Sequence, residues 1–65
     1  MNVRYFPDTD TLLVNFSERK IVRTQDLGEN VLIELDDQGS PVSLTIEHAK
    51  QQMNVTEFSY HLAAS

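Results

Sequence analysis

Few residues in this chain are of a type that does chemistry, and their spacing argues against most of what they could do. Asp8 and Asp10 stand two apart beside Pro7. Paired carboxylates suit a hard cation, but such an ion wants several oxygen ligands, and the further ligands and glycine of a calcium loop are missing. The simpler reading is a turn in which each aspartate bonds nearby backbone amides. Glu47 and His48 are neighbours, so their side chains diverge in either a strand or a helix. His61 is the other histidine, and the pair matches no zinc-ligand spacing. Ser17, Ser40 and Ser43 lack a nearby histidine or the strand-to-helix elbow of a nucleophilic serine. Two glycines cannot build a phosphate-cradling loop. The absence of cysteine removes disulfide staples and thiolate metal ligands. The residues therefore assign no catalytic side chain, no metal and no cofactor, and the expected protein is not an enzyme.

The elements that must hold these residues are small. The chain has 65 residues and begins with methionine, so the expectation is one domain over residues 1–65. A domain of this size buries only about 60% of the surface its unfolded chain exposes. With 40% hydrophobic residues, the core is thin and association is the natural source of extra burial. Lys and Arg total 5 against 10 Asp and Glu, a formal charge of -5. That balance opposes autonomous nucleic-acid binding, which needs a basic patch, and docking on an anionic membrane. A basic protein partner is compatible with it. No apolar run approaches the roughly 20 residues of a membrane-spanning helix, and Met1 to Asp10 lacks signal-peptide character. The cytosol is the expected location.

Turn chemistry divides the chain. Pro7, Asp8 and Asp10 mark a first turn, Gly28 with Glu29 and Asn30 a second, and Asp36, Asp37, Gln38 and Gly39 a third. Strand-like runs lie between them. Asn2 to Phe6 and Thr11 to Ser17 make a hairpin. Ile21 to Gln25 is a weaker, β-branched strand. Asn30 to Asp36 and Pro41 to Ile46 make a second hairpin, with Gly39 taking the positive φ that other residues resist. Leu12, Val14, Phe16, Val31, Ile33, Leu35, Val42, Leu44 and Ile46 fall on one face. Leu13 and Leu32 fall on the other, among polar residues. A short helical segment is expected over 47–52. Asn54 with Glu57 reads as a capping box and Met53 with Phe58 as a hydrophobic staple. Val55, Phe58 and Leu62 then form a stripe, predicting a C-terminal helix over 54–63. The fold class is α+β: a single antiparallel sheet of four to five short strands, its β-hairpins over 2–46, with a C-terminal helix.

The motifs form a familiar series. Tyr5-Phe6-Pro7-Asp8-Thr9-Asp10-Thr11-Leu12-Leu13-Val14 resembles a hairpin of the form Y-D-x-x-x-D-x-L-Y-I. Asn30 to Gly39 resembles a strand followed by an Asp-rich turn. Val42 to Lys50, above all Ile46-Glu47-His48-Ala49-Lys50, resembles a closing strand of the form v-G-I-E-I-l-x-A-S. Together they resemble the bacterial family called domain of unknown function 2283, over roughly residues 3 to 50. Phe6 replaces an aspartate of that pattern, Leu13 an aromatic and Ser43 a glycine. Some members are proposed antitoxins, so the resemblance implies an antitoxin-like partner for a small toxin. It brings no catalytic residues.

The leading expectation is a non-enzymatic protein-binding module that pairs as a dimer and neutralises a small basic toxin. Its partner-binding candidates are the stripe Val55, Phe58 and Leu62, the outlying Leu13 and Leu32, and the acidic Glu34 and Asp36, with Asp37 and Glu29 nearby. Pro7, Asp8, Asp10, Asp37 and Gly39 are read as turn formers. One alternative is a structural homo-oligomer. Another is a small metal- or ligand-binding protein in which Asp8, Asp10 and Glu47 converge.

Overall fold

A computed structural model describes residues 1–57 and 59–63. The described residues form five strands and one helical turn: β1 (Asn2–Phe6), β2 (Thr11–Asn15), β3 (Arg23–Gly28), β4 (Val31–Leu35), β5 (Pro41–Glu47) and α1 (Ala49–Gln52). The strands make one antiparallel sheet in the order β1-β2-β5-β4-β3. An α+β sheet protein with a short helix near its C-terminal end is therefore the architecture.

Three hairpins arise from the three turns. Between β4 and β5 the Asp36 carboxylate accepts the backbone N–H groups of Gln38 and Ser40, both at 2.9 Å. The Asp36 carbonyl accepts Gly39 N–H, and Gly39 stands at φ 79° as its sequence context predicts. Pro41 opens β5, where a missing donor is tolerated. In the β1–β2 turn the left-handed residue is Asp10, at φ 55°. Aspartate tolerates that conformation better than most side chains.

The register divides the side chains cleanly. Directly opposed residues share a face, so Val3, Val14, Leu44 and Ile33 lie in one row, and Tyr5, Leu12, Ile46 and Val31 in the next. This apolar face contains no charged side chain on its three central strands. The opposite face carries the row Arg4, Leu13, Thr45, Leu32 and Asp26. Irregular pairing between Asp26 and Gly28, and between Glu34 and Leu35, interrupts the ladders near the sheet ends.

Three expectations need correction. β3 runs over Arg23–Gly28 and not Ile21–Gln25. Its register is fixed by the tight return to β4, which outweighs the β-branched pair Ile21 and Val22. The larger correction concerns the C-terminal helix over 54–63. Residues 54–57 and 59–63 carry no helix, and Phe58 lies outside the described residues. Instead of the expected capping box with Glu57, Asn54 makes a local turn: its Oδ1 accepts Thr56 N–H at 3.1 Å and the Thr56 hydroxyl at 2.8 Å. No helix propagates from it. A helix shorter than about 12 residues needs tertiary docking to persist. Here Leu62 is 89% exposed, and Val55, Thr56, Tyr60 and His61 are indifferent helix formers. The helical segment expected over 47–52 shrinks to Ala49–Gln52, because Glu47 belongs to β5.

Among the described residues the sheet thus has no second layer. The buried apolar residues among those described are Leu35, Val42 and Ala49, and no large side chain is wholly enclosed. Leu12, Val14, Val31, Ile33, Leu44 and Ile46 are all half-buried.

Candidate functional site

One densely bonded cluster joins the β1–β2 turn to the start of α1. Tyr5 reaches it from β1, Asp10 from the turn, and His48 to Lys50 from the end of β5. The Tyr5 hydroxyl donates to Asp10 Oδ1 at 2.6 Å. Asp10 Oδ1 also accepts the Lys50 backbone N–H at 3.1 Å, and the Asp10 carbonyl accepts Ala49 N–H at 3.0 Å. His48 joins Asp10 in the left-handed region, at φ 54°. These bonds between residues 10 and 49–50 fasten the two ends of the motif series.

Its protonation runs against acid–base work. The hydrogen bond to Asp10 holds the Tyr5 phenol back, pushing its pKa up to about 12. The same bond, then the Lys50 amide, keeps the Asp10 carboxyl below its ordinary value. A catalytic acid or base works best with a pKa near the operating pH, and both groups move away from neutrality. The cluster is a clip. Asp10 is engaged within it, and Asp8, Asp10 and Glu47 do not make a metal centre. Among the described residues no three His, Asp or Glu side chains gather around a common point.

A second polar knot closes the other end of the sheet. Asp36 is 5% exposed and its Oδ2 lies 3.2 Å from Arg19 Nε. The amides of Ser40 and Gln38, then Arg19, hold its carboxyl below the usual range. Glu34 accepts the Ser43 hydroxyl at 2.5 Å. Glu34 and Asp36, expected on a partner-facing acidic edge, are thus bound into the fold. The Asp36 backbone turn fully engages its side chain, a role that its position before Asp37-Gln38-Gly39 signals. Asp37 and Glu29 remain exposed.

Leu13 and Leu32 lie on the polar face on either side of Thr45, separated by β5, and Leu13 also borders a shallow depression of about 270 Å³ with Asn2, Arg4, Asn15 and Glu18. The stripe Val55, Phe58, Leu62 is not assembled: Val55 is half-buried, Leu62 is exposed, and Phe58 lies outside the described residues. Phe6 was missed by sequence reading. It is 42% exposed at the end of β1, in the row with Thr11 and Glu47 on the polar face. Its alternation with Tyr5 was the signal.

The first hairpin, the Asp-rich turn and the closing strand are the sequence marks noted above, now seen in one structure. The pattern described as "Protein of unknown function (DUF2283)" matches residues 2–50. The chain belongs to this family. The match spans all five strands and the clip, and it ends inside α1. No curated protein and no solved structure matches the chain. No helix among the described residues is long and apolar enough to cross a membrane.

Proposed function

We propose that this member of the family is a non-enzymatic protein-binding module, the antitoxin-like half of a type II toxin–antitoxin pair, and that it neutralises a small basic toxin in the cytosol. The observation that carries the reading is the row across the polar face. Leu13, Thr45 and Leu32 lie side by side on the three central strands, with Arg4 and Asp26 at the row's ends. An apolar centre inside a polar, charged rim is the anatomy of a protein interface. Phe6 extends that centre beside Thr11. The formal charge of -5 supplies long-range attraction for a basic partner and speeds its encounter.

Co-expression with the product of the adjacent gene tests this. The expected result is growth inhibition by the neighbour alone, relief on co-expression, and a complex recovered by pull-down. Replacing Leu13 and Leu32 together by threonine keeps strand character and is expected to abolish the complex while the sheet remains folded. A harmless neighbour, or no complex, defeats the reading.

A further inference from the structure

Independently of any toxin, we propose that the apolar face of the sheet is an interface between two copies of this chain, packed face to face as a two-layer sandwich. The first argument is area. A compact monomer of 7.4 kDa exposes about 4,200 Å² by the size scaling of folded proteins. This chain exposes 5163 Å². The excess, roughly 950 Å², is of the size that each partner buries in a standard interface, about 800 Å². Residues 54–57 and 59–63, which carry neither helix nor strand, contribute to it, and so does the uncovered sheet.

The second argument is the missing interior. Leu12, Val14, Val31, Ile33, Leu44 and Ile46 form a continuous block on β2, β5 and β4, and none of them is fully buried. A sheet needs a second layer to make a core, and the helix expected over 54–63 is absent from the described residues. Sheets stack about 10 Å apart with their side chains interdigitated, which would enclose all six.

The third argument is charge, and it selects the occupant. Each copy is strongly acidic, so pairing through a charge-bearing surface brings like charges together. The central apolar face bears none, and it presents the same chemistry to its mate as its mate presents to it. Such a self-complementary contact closes as a two-fold dimer without further growth. The outer edge of β3, like that of β1, is a rival surface. Its residues are exposed, but the irregularity between Asp26 and Gly28 disturbs the ladder that edge pairing requires.

Leu44 and Thr45 are adjacent in β5 and face opposite sides, and the chain has no other thiol to confuse the result. The experiment uses the full chain alone. Sedimentation equilibrium gives its mass, and Leu44→Cys and Thr45→Cys report accessibility through maleimide labelling. The expected mass is twice 7.4 kDa at high micromolar concentration, and the dimer is expected to tighten with added salt as repulsion between acidic copies is screened. The thiol at position 44 is expected to label on the order of tenfold more slowly than that at 45, as protection by burial demands. If Leu44→Cys fails to fold, Val14→Cys against Leu13→Cys gives the same contrast on β2. A monomer at every concentration overturns the proposal. So does a dimer in which both thiols label equally, because contact then lies at an edge. Neither result bears on toxin binding, which is measured separately and is expected to weaken with salt.

Discussion

The two faces of this sheet share one backbone and differ in almost everything else. On one, apolar residues from β2, β5 and β4 stand opposite one another without a charge among them. On the other, Leu13 and Leu32 sit among threonine, serine, asparagine and acids. Adjacent residues of a single strand, Leu44 and Thr45, belong to these two worlds. The lesson is that a domain too small to bury both sides can assign each side a separate task. Under the two proposals made above, one face is the interior that the monomer lacks and the other is the mixed surface that recognises a different protein. The ends of the sheet serve neither task. They are held by the Tyr5–Asp10 clip and the Asp36 turn.

The sharpest way to break this contrast is to truncate both sides of β5. Leu44→Ala is expected to cost about 2–5 kcal/mol, the range for a large side chain removed from a closed core, while Thr45→Ala stays within about 0.5 kcal/mol as a surface change does. Urea unfolding at one protein concentration measures both. Equal costs would mean that the apolar face is not enclosed.

The clip is expected to come next. Asp10→Asn leaves the Tyr5 hydroxyl and the Lys50 amide with a weaker acceptor, and the thermal midpoint should fall by several degrees. The pH response has a definite sign. Asp10 and Asp36 titrate lower in the fold than their ordinary 3.8. Their stabilisation is therefore fully present above that value and is lost as pH falls through the depressed folded values. Acid unfolding followed by circular dichroism should show a shallower loss in Asp10→Asn than in the parent. An unchanged acid limb would remove Asp10 from the account.

The turns give the smallest effects and a control. Gly39→Ala places a side chain at φ 79° with open space around it, so its expected cost of about 1 kcal/mol is purely conformational. Gly28→Ala, also in open space but without a positive φ, is expected to change stability by less than about 0.5 kcal/mol. Similar costs at the two glycines, read from urea midpoints, would show that the β4–β5 turn is less constrained than its hydrogen bonds indicate.

Much of this was legible in the sequence, and the pattern of success is physical. The hairpins announced themselves through Pro7 to Asp10 and Asp36 to Gly39, because turn residues act locally. The assignment of Leu12, Val14, Ile33 and Leu44 to one face followed from alternation. The insertion of β5 between β2 and β4 was hidden, since no local signal specifies which distant strand a given strand will join. The Tyr5–Asp10–Lys50 clip was half visible. Its residues stood in the motifs, but a bond between positions 10 and 50 depends on the sheet order. The C-terminal helix shows the opposite error. Asn54 bonds Thr56 in a local turn, and a residue that favours caps cannot sustain a helix whose apolar side finds nothing to dock upon.

The sheet order also governs when this protein can become a protein. The strand at its centre is the last of the five to be synthesised. Until Pro41 to Glu47 leaves the ribosome, the nascent chain holds two separate ribbons, one from β1 and β2 and one from β3 and β4. Isolated ribbons of this kind are barely stable in water. Folding must wait for the final strand to zip them together, and during that wait both ribbons stay open to chaperones and proteases.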